Sequence, residues 1–198
     1  MSVPLTQASI KEPEILIDYE VKMLRSKLND LYPRDLMMID LALSTGLRND
    51  EICSLTIKCI KTFEIITHIL MLPGEIAKGG IARDIPLNDD IRKNLDIFLS
   101  WKITRGEDTN SDAFLFVSKF THKKLNPRDF QRILSSISQK YIGRSIHPHV
   151  LRHTFASRLL KVSNLEIVRK CLGHKNIQTT QIYLHPSNDE ILEAVSQI

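Results

Sequence analysis

At 198 residues the chain is long enough for one well-packed domain and short for two. Its apolar share of 42% and charged share of 25% are those of a globular protein, and no apolar run approaches the ~18 residues a membrane-spanning helix needs. The N-terminus lacks a basic segment followed by an apolar one, so cytoplasmic, nucleoid-associated residence is the expectation, and the formal net charge of +4 points to a polyanionic partner. Three cysteines, Cys53, Cys59 and Cys171, show no C-x-x-C spacing, which argues against a disulfide framework and a structural zinc site and for small buried apolar roles.

Residues 1–17 mix Pro, Ser, Thr, Gln and acids without periodicity and read as a flexible leader or arm. From Asp18, a helix cap by type, the apolar positions Val21, Leu24, Leu28 and Leu31 recur at helical spacing up to Pro33. A second, Leu- and Met-rich helix runs from Arg34 to about Ser44 and stops at Gly46, after which Asn49 or Asp50 caps a short helix carrying Glu51, Ile52 and Leu55. KTFEIITHILMLPG is β-branched and aromatic, and GEIAKGGIARDIPL follows with a Gly-Gly turn between two extended segments, which predicts a small antiparallel sheet with Lys78 beside a turn. Asn88 or Asp89 caps a helix to about Trp101, TRGEDTNSD is a loop, and AFLFV is a short strand or core segment. Asn126 and Pro127 open a basic helix, RDFQRILSSISQKY. The rest is helical, divided by Gly173 and Pro186, so the fold class is mainly α with a small antiparallel β-sheet, α+β.

HPHVLRHTFASRLL concentrates three histidines and an arginine at the start of a helix. His149 and Arg152, three apart, share one face, while Leu151, Phe155 and Leu159 form an apolar stripe on another. A helix N-terminus already favours an anion, and a guanidinium fork bonds two phosphate oxygens at once. The local reading is a phosphate site, with a plain basic helix start equally open from this motif alone. A zinc site of His147, His149 and His153 is disfavoured, since i, i+4 histidines supply two ligands and no third carboxylate or thiolate accompanies them. Downstream, Asn164 caps a helix with Ile167, Val168, Cys171 and Leu172 on its apolar face, Gly173 ends it, and His174 follows. Asn176 starts a short helix with Tyr183 in its last turns, and a tyrosine between Ile182 and Leu184, taken singly, reads as core.

In order along the chain, STGLRNDEICSLTI, AKGGIARDIPL, HPHVLRHTFASRLL and LGHKNIQTTQIYLH resemble the motifs of the tyrosine recombinase, or phage integrase, family. The resemblance spans residues 18–185 as a catalytic domain. It implies that Arg48 and Arg152 clamp a scissile DNA phosphate with Glu51 and His153 in support, His149 as hydrogen-bond donor or general base, His174 on a phosphate oxygen, Lys78 as general acid and Tyr183 as nucleophile. It implies strand cleavage and rejoining through a 3′-phosphotyrosine, with no metal and no cofactor, on double-stranded DNA carrying specific recombination sites. A homo-tetramer on DNA, a monomer or weak dimer alone, and accessory DNA-bending proteins belong to the same expectation.

Lys123, Lys124, Arg128, Arg132, Lys140 and Arg144 are the candidate DNA contacts of the basic stretch, with a solvated helix face as the plain alternative. Residues 186–198 form an amphipathic tail with Ile191, Leu192, Val195 and Ile198 on one stripe, docking either on a neighbouring protomer or on its own domain. Only a short leader stands where the family commonly has a further helical domain, so the chain is a minimal recombinase or a catalytic fragment, with weak, salt-sensitive DNA binding unless protomers assemble. Two other functions stand beside recombination: a non-catalytic DNA-binding relative, which the retained site residues disfavour, and type IB topoisomerase-like relaxation, which the lack of a large cap domain disfavours.

Overall fold

The computed structural model describes residues 13–26, 31–176, 178–184, 192, 195 and 196. Its elements in chain order are α1 (Asp18–Ser26), α2 (Pro33–Thr45), α3 (Asn49–Ser54), a 3₁₀ turn (Ile57–Cys59), β1 (Lys61–Thr62), β2 (Ile65–Ile66), β3 (Ile69–Leu72), β4 (Arg83–Pro86), α4 (Asp89–Thr104), α5 (Pro127–Ile142), α6 (Pro148–Val162), α7 (Leu165–Leu172) and α8 (Gln178–Gln181). The fold is therefore mainly helical with minor antiparallel pairing, as the periodicities predict.

Helix ends fall where capping chemistry places them. Asn88, Asn126 and Asn164 each accept a backbone N–H of the following turn through Oδ1, from Ile91, Arg128 and Ile167 at 2.9, 2.9 and 3.0 Å. Pro33, Pro127 and Pro148 occupy first turns, where a missing N–H costs nothing. Gly46 ends α2 with φ +62°, and a Cβ there would lie 2.3 Å from Phe155 Cδ1, so both backbone and packing demand glycine.

α2 is the central element: Met38, Leu41 and Ala42 are buried, and it packs on α4 and α6. The main core adds Ile52 and Leu55 of the α3 region, Leu70 and Ile85 of β3 and β4, Leu95 of α4, Leu115 and Phe116 of the AFLFV segment, and Phe130 and Leu134 of α5. A second cluster of Ala156, Val168, Leu172 and Tyr183, with Phe155 and Leu159 against it, joins the back of α6 to α7 and the tyrosine segment. α6 thus straddles two cores, since its Leu151 belongs to the first.

Several expectations are corrected by packing. The leader reading fails for its last residues: Leu16 is buried and its N–H donates to Thr154 Oγ1 at 2.9 Å, so the stretch just before α1 is seated on α6. Residues 1–12, residues 27–30 of the first predicted helix, and all of the 186–198 tail except positions 192, 195 and 196 lie outside the described residues. The sheet is two separate two-stranded pairs, β1 with β2 and β3 with β4. The segment before the Gly-Gly pair is a turn, not a strand, because the Ile76, Ala77 and Gly80 N–H groups bond within it. α3 is entered from Arg48, not from Asn49 or Asp50, because Glu51 Oε2 accepts the Arg48 N–H at 2.8 Å. Ile167 is exposed on α7, and the tyrosine lies in the turn after α8. Cys53 and Cys59 are buried, and Cys171 is half-buried.

Candidate active site

Four chain segments converge on one pocket: the α2–α3 corner with Arg48 and Glu51, the β3–β4 connection with Lys78, the start of α6, and the α7–α8 turn with Tyr183 beyond it. Glu51 is its hub. This fully buried carboxylate accepts the Arg48 N–H (2.8 Å) and Arg48 Nη1 (3.2 Å), the Lys78 N–H (3.2 Å), and both terminal nitrogens of Arg83 (3.1 and 2.7 Å). Burial alone would raise its pKa, but the Arg83 hydrogen bonds, with the backbone donors, bring it down to about 2. Glu51 is ionised at neutral pH and holds the arginine wall and the lysine loop in one frame.

Arg83 was not singled out by the sequence, although the resemblance covers its segment. Its fork is bidentate to Glu51, its Nε donates to the Cys171 carbonyl at 3.2 Å, and so β4 is tied to the end of α7. The only hint in the chain is an arginine on a strand whose neighbouring face is apolar.

Arg152 is buried, and among the described residues no carboxylate pairs with it. It donates to the carbonyls of Gly46 (2.6 Å) and Leu172 (2.9 Å) and to His174 Nε2 (2.9 Å). Burial and then the charge of Arg48 lower its pKa to about 9, which still leaves it charged at pH 7. A buried cation made uncomfortable by a second cation is a site that an anion relieves.

The histidines divide in a way the linear motif does not reveal. His149 is exposed at the mouth, with its pKa lowered by burial of part of the ring, then by Arg152 and Lys78. His174 is not free to face a phosphate in this arrangement: Nε2 lies against Arg152, and Nδ1 lies 2.9 Å from Thr180 Oγ1. Burial, then Arg152 and Arg48, push its pKa down to about 4. His153, expected only in support of the site, meets the tyrosine: its Nδ1 is 2.7 Å from Tyr183 Oη. One residue beyond Arg152, the helix turns it about 100° toward α8. His147 is exposed at the cap of α6, with Gln131 Nε2 3.4 Å from its Nδ1.

Tyr183 is 8% exposed and serves two purposes, its ring closing the second core and its hydroxyl reaching the site. Burial raises its pKa, opposed by Arg152 and Arg48. Lys78, expected as a desolvated general acid, is exposed on its loop.

A polar groove of about 890 Å³, lined by Arg128, Gln131, Arg132, Ser135, Gln139 and His147, shares Gln131 and His147 with a second of about 460 Å³ that contains Asn49, Asp50, His149 and His153. The exposed polar face of α5 therefore leads into the site. Arg128 and Arg132 line the first groove, and Lys123, Lys124 and Lys140 are exposed, with Lys124 on Ser54 Oγ and Arg132 on Asp129. Arg144 does not belong with them: it is bound by Glu14 and Glu20 and holds the Ile15 carbonyl, so it fastens the chain ahead of α1. Asp18 likewise pairs with Arg158, so the acidic start of the sequence neutralises part of its basic end.

Residues 15–190 match the model of the phage integrase family. The tyrosine recombinase XerC of Azotobacter vinelandii is 37% identical over 153 residues, 77% of this chain and 48% of that protein. The crystal structure of XerA recombinase superposes with a TM-score of 0.76 at 26% identity, over 98% of this chain and 66% of that one. The XerH site-specific recombinase bound to its difH substrate shares the fold, with a TM-score of 0.75 at 22% identity over 94% of this chain and 55% of that one. Fold and sequence together define a tyrosine recombinase catalytic domain. The chain belongs to the phage integrase family, and it spans about half the length of the XerC relatives it matches.

Proposed function

We propose that this chain is the catalytic part of a site-specific DNA recombinase that cuts and rejoins strands through a 3′-phosphotyrosine at Tyr183. The observation that carries the reading is Tyr183, 8% exposed with its hydroxyl at His153 and in the field of Arg152 and Arg48, while the Glu51 carboxylate is engaged by Arg48 and Arg83. Attack by the phenol oxygen on a phosphodiester builds negative charge on the non-bridging oxygens, which two fixed guanidiniums and the His149 ring answer. The P–O5′ bond breaks, and Lys78 gives the departing oxygen its proton once a duplex laid over the loop desolvates it. The bond energy stays in the phosphotyrosine for rejoining, so neither a nucleotide cofactor nor a metal is required by this chemistry.

The groove along α5 is the proposed track for the duplex, with Lys123, Lys124, Arg128, Arg132 and Lys140 on backbone phosphates. Exchange between two duplexes, each cut on both strands, takes four tyrosines, so the assembly on DNA is a homo-tetramer; XerH, bound to difH, offers the parallel for a DNA partner. The outcome, whether integration, excision or inversion, follows from where the sites lie.

The test is adduct formation on a nicked duplex whose site has first been selected from a randomised pool with this chain. Wild type should form a covalent DNA adduct in EDTA, and Tyr183→Phe should form none. An adduct with Tyr183→Phe contradicts the nucleophile, and selected DNA bound by wild type but never cut supports a binding module instead.

A further inference from the structure

We propose that His153 is the group that takes the proton from Tyr183 as its oxygen bonds to phosphorus, and returns it when the strand is rejoined. The inference rests on the reading above and assigns the proton acceptor which that reading leaves unnamed. His153 Nδ1 is 2.7 Å from Tyr183 Oη, with ring centroids 5.6 Å apart. The other two site histidines are poorly disposed to accept this proton, because the His149 ring is 6.3 Å beyond that of His153 and both nitrogens of His174 are engaged by Arg152 and Thr180. Among the described residues, no other titratable side chain has a hydrogen bond with the phenol.

The charged and titratable groups facing His153 are Arg152 and His149 on α6, His174 after α7, Tyr183 beyond α8, and Asp50, His147 and Glu14 around the adjoining groove. Burial, then His149 and Arg152, lower its pKa, so the ring is neutral at pH 7 and has a lone pair to offer. Burial meanwhile keeps the phenol protonated. The proton cannot leave first, because a neutral phenol is a far weaker acid than this imidazolium. It moves as the Oη–P bond forms and the phenol oxygen loses its basicity. In balance, the Oη–P bond forms and P–O5′ breaks; the phenol proton passes to His153 Nδ1, and the electron pair on O5′ accepts a proton from Lys78. This leaves His149 as a donor toward a non-bridging oxygen.

The test is single-turnover adduct formation by the full chain on the selected nicked duplex, for wild type, His153→Gln, His153→Ala and His149→Gln, across pH 5–8. Gln keeps a hydrogen-bond acceptor but cannot take a proton. His153→Gln should lose at least about 100-fold in rate, the range of a missing general base, with duplex affinity within threefold, and the acid-side fall of the wild-type profile should vanish. Added imidazole should restore His153→Ala. A ¹⁵N spectrum of wild type should place the His153 proton on Nε2, a measurement that needs no variant to fold. A His153→Gln rate within threefold of wild type overturns the proposal. So does a proton on Nδ1, or an acid limb that persists in His153→Gln and disappears in His149→Gln. Absence of adduct with wild type itself overturns the recombinase reading, and this step with it.

Discussion

The Arg152 guanidinium lies 2.9 Å from His174 Nε2, and that contact fixes which nitrogen of the imidazole carries the proton. A guanidinium only donates, so Nε2 accepts and the proton sits on Nδ1, from which it is donated to Thr180 Oγ1 at 2.9 Å. Thr180 is fully buried, and its carbonyl accepts the Tyr183 N–H at 3.1 Å. A chain of three contacts therefore runs from Arg152, the proposed phosphate clamp, to the backbone of Tyr183, the proposed nucleophile. With its pKa near 4, His174 should stay neutral and Nδ1-protonated down to about pH 5, which a ¹⁵N–¹H correlation spectrum of the imidazoles reads directly.

Replacing Thr180 by Val keeps the shape and removes the acceptor. The half-buried His174 N–H is left unpaired, a cost of about 1 kcal/mol or more. Thr180→Val should lower unfolding stability by that amount and slow adduct formation without weakening duplex binding, and Thr180→Ser should recover most of both. Equal adduct rates in Thr180→Val and wild type would show that the contact chain does not position Tyr183.

Arg152→Lys should be nearly as damaging as removal of the arginine. An ammonium cannot serve the Gly46 and Leu172 carbonyls, His174 and a phosphate together, because its donors radiate from a single atom. The expected loss of adduct formation is about 100-fold or more, with the duplex still bound through the α5 groove. Single-turnover kinetics and a gel-shift titration separate the two.

Glu51 gives the fold a defined acid sensitivity. Its folded pKa of about 2 lies below the ordinary 4.5, so its stabilisation is fully present above pH 4.5 and is lost as pH falls from there through about 2. The difference corresponds to roughly 3 kcal/mol at neutral pH. Glu51→Gln should be destabilised by about that much at pH 7 in urea unfolding, and its stability should be flatter than that of wild type between pH 4.5 and 2.5.

Gly46→Ala tests the corner that presents Arg48 on one side and a carbonyl to Arg152 on the other. The new Cβ meets Phe155 Cδ1 at 2.3 Å on a backbone already at φ +62°. Overpacking and left-handed strain together should cost about 2–4 kcal/mol, seen as a drop in Tm. A Tm within a degree of wild type would mean that α6 shifts freely away from α2.

Arg128 and Arg144 lie on the same basic stretch and should behave differently. Arg128→Ala should weaken duplex binding and reduce the slope of log affinity against log salt by about 1, as one phosphate contact requires. Arg144→Ala should leave that slope alone and lower thermal stability, because its guanidinium holds Glu14, Glu20 and the Ile15 carbonyl.

Legible in the chain alone were the helical class, the caps at Asn126 and Asn164 and one at Asn88 or Asp89, the glycine stops at 46 and 173, and the segments that carry Arg48, Lys78, Arg152, His174 and Tyr183. These depend on local chemistry: periodicity, a capping side chain, a residue free of Cβ, motifs read within a dozen positions. Packing alone set how side chains distant in the chain share donors and acceptors. Arg83 reaches Glu51 across 32 positions, Arg144 reaches Glu20 across 124, and His153 finds Tyr183 across 30. No period or propensity encodes those meetings, because they depend on how α6, α7 and β4 pack against one another. A histidine next to an arginine looks the same on paper whether it faces solvent, a metal or a phenol, and the packing of the Tyr183 segment against α6 put this one beside the phenol.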